Sequence, residues 1–367
     1  MGNWNLHLIE QAFAKAATDF NEWGNALATL VAETNGYGAV LLNTGSRAIP
    51  GTPMTDSLQA GSEVYFRDGW YLRDERFRGV PTLMRDGVCD DLDVMDADSI
   101  KRHPYYQEFL APLGLSSFAG IRVAAGDDLW CISLQRKATD ERFSPNEKSK
   151  LATLSNSLSS FAAVSRALGF AASNAALEAF EIGGSAVLLI NERGEVIRAT
   201  AAAERLLRGG IRIVRKRLVS VDIDSTMALD RALHNLLWTR SEAALSPPVA
   251  LWREAAMPLL AYPLKLANLA SNPFAEGRAL IVLVDPGRRS RPPEETLRGV
   301  FKLTTAEARL AARLAAGAEL NDISQELGIA KETGRHHLKS IFTKTHVRRQ
   351  AELVALLAGL LARTDVD

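Results

Sequence analysis

Lys331, Arg335 and Lys339 stand four residues apart in a stretch of helical periodicity, so their side chains share one helix face. From Lys331 to Arg349 the bases Lys331, Arg335, Lys339, Lys344, Arg348 and Arg349 meet Glu332 as the only acid. Over its 367 residues the chain balances 43 Lys and Arg against 43 Asp and Glu, so this positive charge is local. Such a face can neutralise phosphates and set a guanidinium against base edges in a major groove. A charge stripe by itself more often marks a solvated surface helix, so the neighbouring elements decide.

Those neighbours are closely spaced. Thr304 and Glu307 have the spacing of a capping box, which predicts a helix from about Thr305. Ala308, Leu310, Ala311, Ala312, Leu314 and Ala315 then recur at helical period, and Gly317 supplies a left-handed stop. A second short helix is predicted over Asn321–Leu327, ending at Gly328. Ile329 enters the core, and a third pattern over Lys331–Thr345 turns Leu338, Ile341 and Phe342 inward. Helix, tight glycine turn and helix make a helix-turn-helix arrangement.

At these residues the sequence resembles the LuxR-type helix-turn-helix domain of bacterial transcription factors. The likeness runs through Leu303-Thr304, Glu307, Ala316-Gly317, Ile323, Leu327-Gly328-Ile329, Thr333, His337-Leu338, Ile341-Phe342, Lys344 and Val347. It implies an all-α four-helix module on double-stranded DNA, with RNA polymerase as a further candidate partner. The DNA-binding candidates it implies are Lys331, Thr333, Arg335, His336, Lys339, Lys344 and Arg348. Ala330 stands where the family has a Ser or Thr N-cap, a loss of about 1 kcal/mol. Gly334 replaces a Val, which is expected to add flexibility and remove a core contact, and His346 replaces a Gly before Val347.

A second group that could do chemistry lies far upstream. Tyr65, Phe66, Trp70, Tyr71, Phe77, Tyr105, Tyr106, Phe109 and Phe118 crowd one region, followed by Trp130 on a predicted strand, with Asp74, Arg76 and Ser133 interleaved. An apolar cavity with a few convergent polar groups is how small-molecule sites are built. The alternative is that the aromatics form ordinary core and Asp74 to Arg76 a surface pair. The region resembles GAF-like or autoinducer-type sensor domains, and Tyr65–Arg76 is similar to the Trp/Tyr/Asp cluster of acyl-homoserine-lactone receptors. In that family the Asp accepts from the ligand amide and the aromatics wall the lactone, although Glu75 stands here where a Pro is frequent. The ligand-binding candidates are Tyr65, Trp70, Tyr71, Asp74, Phe77 and Trp130, with Trp130 expected to face the others from the sheet. A buried Asp74 requires a ligand donor or Arg76 to satisfy it.

The elements that must position both groups predict a multidomain α+β chain: a sensor-like domain over 1–142, a connecting helix over 143–180, a second sensor-like domain over 181–287, a basic linker over 288–300 and the DNA-binding module over 301–367. Leu6–Thr34 reads as two amphipathic helices, Ala39–Leu42 as a buried strand, and Gly120–Val123 with Leu129–Gln135 as paired strands. Ser144-Pro145-Asn146-Glu147 caps the connecting helix. Its Leu151, Leu154, Leu158, Phe161 and Leu168 recur close to a heptad, a stripe that zips two chains together or packs on its own domain. Downstream, the strands Ser185–Ile190 and Glu195–Ala199, the helix Ala201–Leu207, a helical stretch from Met227 to Trp238, and strands in Leu251–Leu264 and Arg278–Val284 resemble a PAS-like domain. The linker run Arg288-Arg289-Ser290-Arg291-Pro292-Pro293 is basic and stiffened by prolines.

Other classes are disfavoured. The chain carries no phosphate-binding loop, nucleophile elbow or H-E-x-x-H pair. Asp90, Asp91, Asp93 and Asp96 are expected to form a solvated acidic loop rather than a phosphoacceptor site. Cys89 and Cys131 lack metal-ligand spacing and suit a reducing compartment. No uncharged apolar run approaches the roughly twenty residues of a membrane span. The expectation is a cytoplasmic, homodimeric regulator controlled by a small molecule or partner, without cofactor, metal or catalytic activity. The rival is a ligand-independent DNA-binding regulator whose sensor-like domains serve only dimerisation and protein interaction.

Overall fold

The computed structural model describes residues 4–45, 52–126, 128–238, 246–266, 269, 271–287 and 292–358. Residues 288–291 of the expected linker, the turn residue Asp127 and everything from 359 lie outside them. The molecule mixes helices with antiparallel sheets, the architecture of a multidomain α+β protein.

Two helices, α1 (Leu6–Thr18) and α2 (Trp23–Thr34), open the chain, as their amphipathic patterns predict. An antiparallel sheet follows, built from β1 (Gly38–Asn43), β2 (Val88–Asp90), β3 (Leu115–Ala125) and β4 (Asp128–Lys137) in the order β1-β4-β3-β2. Strand alternation sorts the side chains between two faces. Ala39, Leu41, Ile121, Val123, Trp130, Ile132 and Leu134 turn towards α1 and α2 and are buried there. Val40, Leu42, Phe118, Cys131, Ser133 and Gln135 turn the other way. The opposite face is covered by short pieces: α3 (Gln59–Arg67), α4 (Val80–Asp86), α5 (Asp91–Val94), α6 (Ala97–Ile100) and a π-helical turn, Tyr105–Leu110.

Helix α7 (Pro145–Ile182) is 38 residues long and starts at the expected Ser144–Glu147 capping box. Leu151, Leu154 and Leu158 are buried in the core under the sheet, Phe161 is half-buried against it, and Leu168 is exposed. The first half of the leucine stripe therefore packs on its own chain. Of the two readings of the stripe, packing on its own domain holds for this half.

A second sheet, ordered β6-β5-β11-β10-β9, contains β5 (Ala186–Ile190), β6 (Val196–Ala199), β9 (Val249–Arg253), β10 (Ala256–Lys265) and β11 (Ala279–Val284). Helices α8 (Ala201–Leu206) and α9 (Ile223–Trp238) pack on it, and a small hairpin pairs β7 (Arg212–Val214) with β8 (Arg217–Val219). The strand expected across Leu251–Leu264 is a hairpin, broken where Ala255 adopts a left-handed φ of 51°. One segment ties the two sheet units together. Phe274 packs edge-on against Trp23 (5.1 Å) and Trp130 (5.0 Å), while the Asn272 side chain donates to the Ser165 carbonyl (2.8 Å) and accepts from its hydroxyl (3.0 Å).

The C-terminal core gathers α10 (Glu294–Phe301), α11 (Thr305–Ala315), α12 (Leu320–Glu326), α13 (Lys331–Thr345) and α14 (Gln350–Ala358) around Leu297, Leu310, Leu314, Ile323, Ile341 and Leu353. Helix α10 occupies part of the expected linker, because Leu297 and Phe301, four residues apart, anchor one face of it in this core.

Candidate functional site

The basic helix is positioned by its neighbours. Thr304 caps α11 as expected, its hydroxyl accepting from the Glu307 amide (3.3 Å) while Glu307 accepts from the Thr304 amide (2.7 Å). Glu307 also receives Ser340 Oγ and Lys344 Nζ from α13, each at 2.7 Å. Burial pushes the Glu307 carboxyl up, but these donors more than offset it and hold the pKa at about 2. Lys344 is thus a half-buried tie between α11 and α13 instead of a member of the outer basic face. Lys331, Thr333, Arg335, His336, Lys339 and Arg348 are all exposed. Arg335 pairs with Glu332 (2.6 Å), both partners standing in solvent, where such a pair is worth little and exchanges readily.

Gly334 is not a loosened core position. A Cβ there would lie 2.4 Å from Ser324 Oγ, so the missing side chain lets α12 and α13 approach closely. Ala330 caps α13 without a side-chain hydrogen bond, and His346 ends it at a left-handed φ of 56°.

Between the first sheet and its covering helices lies a cavity of about 640 Å³. Its walls are mostly apolar, with Val40, Leu42, Leu58, Tyr65, Phe66, Phe77, Phe109, Leu113 and Phe118 among them; Asp74, Arg76, Ser133 and Gln135 are among its polar members, with Asn43, Thr44, Gln59, Ser62 and Glu63. Lys265, Arg278, Glu192, Leu237 and Trp238 of the second unit line the same space. Sequence reasoning missed these, because nothing local in β10, β11 or α9 shows which other unit they face. Ser133 and Gln135 were legible through the alternation of β4.

Of the expected ligand contacts, the cavity brings together Tyr65, Asp74 and Phe77. Trp70 stands outside, buried and stacked on Phe109 (5.6 Å) with Arg73 over its ring (4.0 Å). Tyr71 is half-buried behind Tyr65 and Phe66. Trp130 is on the opposite face of the sheet, against Phe274. Its strand parity matches Ile132 and Leu134, not Cys131 and Ser133, which corrects the expectation that it faces Asp74.

Asp74 is satisfied without a ligand and without the Arg76 side chain. It accepts from the Tyr65 hydroxyl (2.8 Å) and the Arg76 amide (2.9 Å). Burial raises its carboxyl above the usual range, and the Arg76 charge and Tyr65 bond only partly oppose this. The Arg76 guanidinium reaches across to Asp91 (2.9 Å) and Gln135 (3.0 Å) and lies over the Phe118 ring (4.2 Å). Asp91 is buried and also accepts from the Tyr106 hydroxyl and the Phe118 amide, each at 2.9 Å. The acidic run is therefore no solvated loop: Asp90 and Asp96 cap α5 and α6, and Asp91 neutralises a buried arginine. Burial pushes the Cys89 thiol up to about 12, and Cys131 also rises; both line the cavity as neutral thiols at physiological pH. Burial lowers the Arg278 guanidinium to about 10, with Glu192 opposing.

Fold and sites define a multidomain α+β chain with a two-unit cavity and an exposed basic helix. No family model matches the chain, and no curated protein does. Among solved structures it is similar to a phage VqmA–DPO complex, at 13% identity over 53% of this chain and 92% of that one, with a TM-score of 0.23. It is also similar to the E. coli DhaR(N)–DhaL complex, at 12% identity over 76% and 89%, again with a TM-score of 0.23. At that score neither superposition defines the fold. Among the described residues no helix is long and apolar enough to cross a membrane, and no group of three or more His, Cys, Asp or Glu side chains could hold a metal ion.

Proposed function

We propose that the chain is a homodimeric transcriptional regulator, in which a LuxR-type module binds double-stranded DNA and GAF-like and PAS-like units sense a small molecule. The carrying observation is the exposed face of Lys331, Arg335 and Lys339 on a helix held after a tight turn at Gly328. Helix α12 and Gly334 fix that helix at close range, as a reading head requires. The cavity, apolar with a few convergent polar groups, supports the sensing half over a purely structural role. Control then follows from linkage: a ligand that favours one arrangement of the units changes the fraction competent for DNA.

Duplexes selected from a random pool by the purified protein supply the specific site for a band-shift test. Arg335→Ala is expected to cost about 1–3 kcal/mol on the selected duplex alone if it reads a guanine. Lys331→Ala and Lys339→Ala are expected to weaken selected and random duplexes together and to reduce the salt dependence. Wild-type protein without salt-dependent duplex affinity would refute the reading.

A further inference from the structure

The cavity belongs to neither sheet unit alone. Lys265 lies at the end of β10, Trp238 at the end of α9 and Arg278 just before β11, all in the second unit, yet they line the space that Arg76 and Phe118 line from the first. The joint is also built to hold the two units in register, since Asn272 is fully buried on Ser165 and Phe274 is wedged between Trp23 and Trp130.

The charges constrain what fits. The lining carries Glu63, Asp74 and Glu192 against Arg76, Lys265 and Arg278, and the Arg76 charge is already met by the buried Asp91 behind it. A carboxylate or ammonium ligand would add an uncompensated charge to a largely apolar space, which is costly. An uncharged molecule adds none. A hydrogen-bond donor is nevertheless left over. Arg76 is buried and gives Nε to Asp91 and Nη1 to Gln135, while its Nη2 has no partner among the described residues. A buried guanidinium nitrogen without an acceptor is uncommon enough to need one. Asp74 is already filled by Tyr65 and the Arg76 amide.

We propose that the cavity takes an uncharged, mainly apolar molecule with one carbonyl-type acceptor, received by Arg76 in the first unit and enclosed by Trp238 and Lys265 of the second. The ligand is then a contact between the units, and its binding stiffens the joint that α7 carries onward. This rests on the sensing half of the proposed function and is independent of DNA binding.

The full chain is titrated by thermal shift and tryptophan fluorescence with three ten-carbon probes: 2-decanone, decanoate and decylamine. The ketone is expected to raise the melting temperature and the two ions to do so at least about tenfold less effectively, a difference of ~1.4 kcal/mol. Trp238→Ala and Lys265→Ala, both at the edge of the fold, are expected to weaken the ketone about tenfold. Arg76→Lys, which keeps a cation against Asp91, is expected to do the same, while Asp74→Asn retains binding. Circular dichroism checks that each variant folds, and Leu113→Trp, which narrows the cavity and leaves Arg76 untouched, is expected to weaken the shift. Rim variants that bind like wild type would confine the site to the first unit and overturn the shared cavity. Tighter binding of decanoate or decylamine overturns the uncharged class while leaving sensing intact; loss in Asp74→Asn with retention in Arg76→Lys overturns the anchor. No response to any probe overturns this proposal, while the DNA-binding half of the reading is judged separately by the band shifts.

Discussion

Glu307 shows how much one residue can carry. It closes the α11 cap and draws in Ser340 and Lys344 from the basic helix, so the basic face is oriented partly by a buried carboxylate. Its folded pKa of about 2 lies below the ordinary 4.5, so its contribution to stability is present above pH 4.5 and is lost as pH falls towards 2. Glu307→Gln removes the charge and should flatten the melting temperature of the C-terminal helices between those limits; pH melts followed by circular dichroism give the comparison, and unchanged acid sensitivity would sink the assignment. Lys344→Ala should lower stability at neutral pH, leaving a buried charge unpaired, and should be felt less in DNA affinity than Lys339→Ala. The capping box was legible because three-residue spacing is enough to define it. The pairing of Arg76 with Asp91 was not: Asp90, Asp91, Asp93 and Asp96 look alike in sequence, and only the approach of β3 decides which one is buried.

At the scale of elements, periodicity carried most of the reading and failed where parity or context intervened. Helices α1, α2 and α11, both long strands of the first sheet and the start of α7 follow from local pattern and caps. Trp130 follows an aromatic cluster in sequence yet lies on the other face of the sheet, because it shares its strand parity with Ile132 and Leu134. Helix α13 combines three departures with different meanings. Gly334 leaves room for the Ser324 hydroxyl, but Ala330 and His346 carry uncompensated costs at the two ends of the helix. Ala330→Ser supplies the absent cap, worth about 1 kcal/mol, and His346→Gly relieves the left-handed residue by roughly 0.5–1 kcal/mol. The sites lie at opposite ends of the helix, so their gains should add in a double variant, read as the shift in denaturant midpoint at constant slope. A midpoint that does not rise for Ala330→Ser would mean that the first turn already has its donors met by water at no cost.

The whole molecule turns on α7, which leaves the first core and reaches the second sheet without interruption. Its N-terminal half is committed to its own chain through Leu151, Leu154 and Leu158. Beyond Phe161 the register changes: Ser165, Gly169 and Ser173 turn inward, and Val164, Leu168, Ala171, Ala175 and Ile182 stand outward. Val164, Leu168 and Ile182 are 46%, 42% and 78% exposed, a heptad-spaced apolar edge left uncovered by the described residues. The sequence showed one continuous stripe because periodicity cannot tell which turn of a helix leaves its own domain. The two halves predict opposite outcomes for the same substitution. Leu158→Glu puts a carboxylate into a dry core and should unfold the first unit, by several kcal/mol. Leu168→Glu should leave the fold intact and set like charges against each other across a symmetric seam, giving monomers by light scattering and weaker operator binding, because paired half-sites need paired heads. A Leu168→Glu protein that stays dimeric, or a wild type already monomeric at working concentration, would move the assembly surface away from α7 and leave coupling between the units to the Asn272–Phe274 joint alone.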